Sequence, residues 1–74
     1  MKVKISEITI PDRKVDRKKI KNMKMSLAFG GQKDPIVVRR IKAKAGKNYS
    51  VKDGLHRLLA AKELGLELIE VEVQ

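Results

Sequence analysis

The chain has no cysteine in its 74 residues, one histidine (His56) and only two aromatic side chains, Phe29 and Tyr49. Without thiols there is no disulfide framework, no thiolate metal site and no cysteine nucleophile. With a single histidine as well, a structural zinc site has too few ligands. Two aromatics cannot build the stacking platforms of single-strand nucleic-acid binders. The apolar runs are far shorter than the ~20 residues needed to cross a bilayer. The opening Met1-Lys2-Val3-Lys4-Ile5-Ser6-Glu7 also lacks the apolar core of a secretion signal. The expected location is therefore the cytoplasm, with no membrane partner. Acidic charge is scarce too: 9 Asp and Glu stand against 18 Lys and Arg, for a net charge of +9.

That excess is uneven. Residues 1–30 carry nine basic and three acidic groups, residues 31–57 eight and two, and residues 58–74 one and four. Such a polar distribution draws polyanions toward the N-terminal two-thirds. Arg13, Lys14, Arg17, Lys18, Lys19, Lys21 and Lys24 cluster on a turn and a helix, and Arg40 belongs to a second basic group with Arg39, Lys42, Lys44 and Lys47. A solvated, lysine-rich surface is the plainer reading of such runs. The one-sided charge favours contact with DNA or another polyanion. With few aromatics, that contact rests on phosphates, with little sequence preference and a steep salt dependence.

Hydrophobic spacing orders the elements. Val3 and Ile5 alternate, as do Ile8 and Ile10, but the phase slips between the pairs, so a strand at about 2–5 meets a bulge or turn before Ile8. Pro11 to Lys14 is a turn. Asp16 caps a helix in which Ile20, Met23 and Leu27 form one stripe, closed by Gly30-Gly31 and Pro35. Ile36 to Ile41 is a β-branched strand, Ala45 to Asn48 a turn, and Tyr49 to Lys52 the next strand. A helix from Gly54 to about Leu64 ends at Gly65, and Leu68 to Val73 alternates as a last strand. The result is an α+β chain, β-α-β-β-α-β with a mixed sheet. Its length fits one small domain, near the lower limit for a core without staples.

Asp53-Gly54-Leu55-His56-Arg57 is the stretch richest in chemistry. Asp53 is placed to cap the second helix. The unpaired N–H groups and positive dipole end of a first turn make a natural anion site. Gly54, lacking a Cβ, lets a phosphate approach, and Arg57 adds a bidentate grip. His56 reads equally as a phosphate contact or as a structural residue. Arg57 reads equally as a ligand or as half of a salt bridge to Glu63 or to a carboxylate of the last strand. Leu55 and Leu59 lie one turn apart, while Ala61 and Leu64 define another face. The first pair therefore offers a surface for a homodimer or docked partner, or else packs internally. No nucleophile, metal site or two-metal carboxylate cluster stands out, so no catalytic residue is assigned.

The pattern resembles the N-terminal domain of the ParB/sulfiredoxin family over nearly the whole chain. The resemblance is carried by Ile5, Ile8 and a basic residue near Arg13; by Ile20, Met23 and Ser26; by Gly31-Gln32-Lys33-Asp34-Pro35 running into Ile36-Val37-Val38-Arg39; and by Val51 to Arg57 followed by Leu58, Ala60, Ala61 and Leu64-Gly65. It implies phosphate binding by Gly54, His56 and Arg57, with Gly31, Gln32 and Arg39 as further candidates. The ligands it implies are CTP, ATP or ADP with magnesium, or DNA. Sulfiredoxins carry a reactive cysteine where this chain has Leu55, so that chemistry is excluded. ParB proteins usually have Glu-Arg-Arg after the glycine. Leu55-His56-Arg57 stands there instead, which counts against CTP binding and hydrolysis. ParB proteins also continue into a helix-turn-helix, so operator reading by a recognition helix is not expected of these residues. Three readings remain open: a DNA- or polyanion-binding module, a nucleotide-dependent switch or phosphotransfer enzyme, and a small docking or dimerisation domain.

Overall fold

The computed structural model describes residues 1–74, the side chain of Ala43 excepted. The elements are β1 (Lys2–Lys4), a 3-10 turn (Ile5–Glu7), β2 (Ile8–Thr9), α1 (Arg17–Gly30), β3 (Ile36–Lys44), β4 (Lys47–Asp53), α2 (Leu55–Glu63) and β5 (Leu68–Val73). The expected β-α-β-β-α-β order holds, with its first strand divided. The phase slip between Ile5 and Ile8 is the 3-10 turn, which lets Val3, Ile5 and Ile8 all reach the core.

The five strands form a mixed sheet in the order β1-β5-β3-β4-β2. β1 runs antiparallel to β5 and β3 antiparallel to β4, whereas β3–β5 and β2–β4 are parallel. The two halves of the first strand thus lie on opposite edges. A flat sheet would hold those edges roughly 19 Å apart at about 4.8 Å per strand. The four steps from Lys4 to Ile8 span at most about 14 Å. The sheet therefore curls, and its concave face holds the core. Ile8, Ile20, Ile36, Val38 and Leu58 are fully buried there, and no polar or charged residue is buried among the described residues.

Asp16 caps α1 as expected, its Oδ1 accepting from the N–H groups of Lys18 (2.9 Å) and Lys19 (3.3 Å). Of the predicted stripe, Ile20 is buried and Met23 and Leu27 are half-buried. Among the described residues, no helix is long and apolar enough to cross a membrane.

The start of α2 differs from expectation. Asp53 still belongs to β4, paired in register with Val37, and the N-cap is Gly54, at φ 99° and ψ 25° with no side-chain cap bond. The left-handed turn reverses the chain within one residue, too soon for Asp53 to fold back onto the helix. Gly54 also spends its missing Cβ internally: an added Cβ would lie 3.3 Å and 3.4 Å from Cγ1 and Cγ2 of Ile36. The close approach that the glycine allows is thus to the core, not to a ligand. From this turn α2 buries Leu55, Leu58, Ala60 and Ala61. Leu55 is 5 % exposed, and Leu59 packs against the same core. Leu55 is thus internal and Leu59 half-buried, so the two do not form one exposed face. Leu64, expected on the core face, is 37 % exposed.

Gly54→Ala forces an L-residue into the left-handed region against Ile36. The expected cost is about 1–3 kcal/mol in urea unfolding. An unchanged midpoint contradicts this account of the turn.

Candidate functional site

The β4–α2 turn opens onto a cleft of ≈ 900 Å3. The residues around it come from four places: Arg13 and Lys14 from the loop before α1, Lys19, Asn22 and Met23 from α1, Asp34 and Pro35 from the loop before β3, and Lys52 through Arg57 from the turn itself. The first intrahelical bond of α2 joins Leu58 N–H to Gly54 O at 2.9 Å. The N–H groups of Leu55, His56 and Arg57 precede it, so helix geometry leaves them without an intrahelical acceptor. Five cationic side chains, Arg13, Lys14, Lys19, Lys52 and Arg57, surround this mouth with two carboxylates, Asp34 and Asp53.

Arg57 is half-buried, its side chain 22 % exposed, with Nη2 at 3.9 Å from Oδ2 of exposed Asp34. That distance is too long for a hydrogen bond, so the guanidinium keeps its donor capacity for another acceptor. Its partner is neither Glu63 nor a last-strand carboxylate. His56 is differently engaged. Its Nε2 accepts from the backbone N–H of Asp16 at 3.0 Å, which assigns the proton of the neutral ring to Nδ1. The ring thereby ties the first turn of α2 to the capping residue of α1. Phosphate contact through Nε2 is pre-empted, while the backbone N–H of His56 still belongs to the mouth.

The other expected residues separate. Gln32 does not wall the cleft. Its amide pairs with β5 like an extra strand residue, Nε2 donating to Glu70 O at 2.9 Å and Oε1 accepting from Glu70 N–H at 2.8 Å. Gly31 lies beside it, and both border a second, smaller cavity of ≈ 530 Å3 lined by Leu27, Leu66, Leu68 and Ile69. Arg39 lies on β3 opposite Ser50, outside the cleft lining, because the strand alternates and its neighbour Val38 takes the core face. Of the basic cluster, Arg13 and Lys14 reach the cleft. Arg17 instead grips Glu63 with two bonds, at 2.9 Å and 3.2 Å, and Lys24 approaches the same carboxylate at 3.4 Å. Lys18 and Lys21 remain exposed on α1, and Arg40 lies 5.9 Å from the centre of the Tyr49 ring. Lys19, a member of the expected basic cluster, lines the cleft, as do Asn22 and Lys52, which the sequence did not single out. The i, i+3 spacing of Lys19 and Asn22 puts them on one helix face, and Lys52 immediately precedes the Asp-Gly turn; those were the available signals. Among the described residues, no group of three or more His, Asp or Glu is placed to hold a metal ion.

The model of the ParB N-terminal domain matches residues 1–74. Solved structures with the same fold include sulfiredoxin from Arabidopsis thaliana, at 29 % identity and TM-score 0.81, covering all of this chain and 84 % of that one. The C-terminally truncated chromosome-partitioning protein ParB from Caulobacter crescentus complexed with CTP-γ-S matches at 24 % identity and TM-score 0.82. The same protein complexed to the centromeric parS site matches equally well. A mutant of a free serine kinase in complex with ADP matches at 16 % identity and TM-score 0.85. All of this chain is covered in each, but it spans only 43 %, 40 % and 30 % of those three longer chains. A search of the curated proteins finds no match.

The Glu63 cluster clamps α1 to α2 behind the cleft. The Arg17 guanidinium, with Lys24 beside it, holds the Glu63 carboxyl below the usual carboxylate range. A depressed folded-state pKa adds stability that is complete above the ordinary carboxylate value and disappears as pH falls through the lowered one. Glu63→Gln is therefore expected to melt below the wild type at pH 7. The two melting curves should converge under strongly acidic conditions, and a gap that widens in acid contradicts the assignment.

Proposed function

The chain belongs to the ParB N-terminal domain family, and we propose that it is a nucleotide-binding module whose cleft receives the phosphates of a nucleoside di- or triphosphate. The observation that carries this reading is the convergence of Arg13, Lys14, Lys19, Lys52 and Arg57 on the N-terminal amides of α2. The amides and the helix dipole favour an anion at short range, and the cations compensate several negative charges at once. A cleft of ≈ 900 Å3 lies within the range usual for small-molecule sites. The relatives solved with CTP-γ-S and with ADP support the same ligand class. Magnesium in this reading arrives with the phosphates. The residues of the cleft bind and orient; they include no side chain activated as a nucleophile, and we assign the module no reaction. Both its ligand class and its charge suit the cytoplasm.

Polyanion binding along α1, the other reading of the charge, is less well supported. Arg17 and Lys24 are engaged with Glu63, and Arg13, Lys14 and Lys19 turn to the concave cleft. Lys18 and Lys21 are left as a sparse pair on that helix.

Isothermal calorimetry with CTP, ATP and ADP, each with and without magnesium, tests the proposal. Micromolar binding of at least one is expected. Arg57→Ala should weaken it by about tenfold or more, the usual loss for a charge-assisted grip. That variant should melt with the wild type, because Arg57 makes no short ion pair. Flat isotherms for all the nucleotides overturn the assignment.

A further inference from the structure

The two aromatic side chains of the molecule lie away from the cleft. Phe29 is in the last turn of α1 and 88 % exposed. Tyr49 sits in the β3–β4 hairpin, packed into the core with Arg40 over its ring. Neither is among the residues around the mouth of α2, so no aromatic ring among the described residues is placed to stack on a bound base. The apolar contribution there comes from Met23, Pro35 and Leu55. Leu55 is buried, Met23 half-buried and Pro35 exposed. An unbranched thioether and a saturated ring touch the face of any base without choosing among bases.

Reading a base edge requires donors and acceptors held in fixed positions and sheltered from water. Side chains suited to this are few at the cleft. No polar or charged residue is fully buried among the described residues. The side-chain amide of Asn22 is exposed. His56 gives its Nε2 to Asp16 N–H, which leaves the ring a single donor at Nδ1. Asp34 and Asp53 are exposed carboxylates, able to accept from a base amino group but in competition with water, where such contacts select weakly.

The phosphate chemistry, by contrast, is concentrated. Five cations against two carboxylates leave an excess of three positive charges around the cleft. Arg13, Lys14, Lys19 and Lys52 are exposed, and their long stems follow a phosphate chain without demanding one pose of the nucleoside. Arg57, 22 % exposed, is the sheltered member.

We infer that the cleft selects the phosphate chain and is indifferent to the base. Its ligand class is a linear condensed phosphate, free or as the tail of any nucleoside triphosphate. This deepens the nucleotide reading of the cleft and rests on it. Affinity follows the number of phosphates, because each added phosphate meets a cation not yet compensated.

Calorimetry with ATP, CTP, GTP and UTP, beside inorganic tripolyphosphate, ADP and AMP, separates the two sources of the chain. Even one well-placed bidentate pair discriminates between bases by at least about fivefold. The four nucleoside triphosphates should therefore agree within about fivefold, with tripolyphosphate in the same range, and affinity should fall from ATP to ADP to AMP. Lys19 and Lys52 form no ion pair among the described residues. Lys19→Ala and Lys52→Ala should each melt with the wild type and weaken ATP and tripolyphosphate by one common factor, up to about fivefold. A preference for one base beyond about fivefold, or nucleotide binding without tripolyphosphate binding, overturns the indifference and leaves the nucleotide reading standing. Silence from every ligand overturns both.

Discussion

Gly54 is held in a left-handed conformation against Ile36, and the arrangement of the cleft depends on that contact. One residue turns the chain from β4 into α2 without a side-chain cap. Because the reversal is so tight, the first-turn amides of α2 emerge at the end of β4 instead of being folded under a loop. Because the contact with Ile36 sets the helix close to the sheet, Leu55, Leu58 and Ala61 enter the core together. The same turn thus fixes the stability of the helix and the direction of its exposed N-terminus. His56 extends the effect outward by holding Asp16 N–H, which places the cationic face of α1 beside the mouth.

Charge is distributed by scarcity. With 9 acidic groups for 18 basic ones, there is one carboxylate for every two cations, and the position of each acid decides which cations are withdrawn. Glu63 takes Arg17 and Lys24 out of any ligand-binding role and uses them to join two helices. The stretch between Asp34 and Asp53 contains no acid, and among the described residues Arg13 and Lys14 form no ion pair with the neighbouring Asp12 and Asp16. The two surfaces left positive are consequently a concave one at the mouth of α2 and a projecting one at the hairpin.

Much of this fold was legible in the sequence because its signals are local. The β-branched run at Ile36, the Ile20–Met23–Leu27 stripe, the Asp16 cap and the Gly65 stop each depend on a few neighbouring residues. The Asp53-to-Arg57 stretch was recognisable as a helix start for the same reason. What escaped depends on contacts distant in the chain. Asp53 is a good capping residue, but its pairing with Val37 keeps it in the strand and passes the turn to Gly54. Gln32 looks like a loop residue beside a ligand until β5 arrives to take its amide. Leu55 and Leu59 look like a spare apolar face until the curled sheet closes over them. The division of the first strand between opposite edges likewise follows from sheet curvature, which no short window of sequence carries. Lys52 is an ordinary alternating strand residue whose position beside the cleft is set only by the turn that follows it.

The account stands on the solvent-facing amides of the first turn of α2 receiving phosphate oxygens. The most direct measurement is a set of nitrogen–proton correlation spectra recorded while inorganic tripolyphosphate, which carries no base or sugar, is added to the folded chain. The amide signals of Leu55, His56 and Arg57 should move together and saturably, with Lys52 and Gly54 following. If those signals stay in place while others shift, the mouth of the helix is not where the anion binds, and the central claim is wrong.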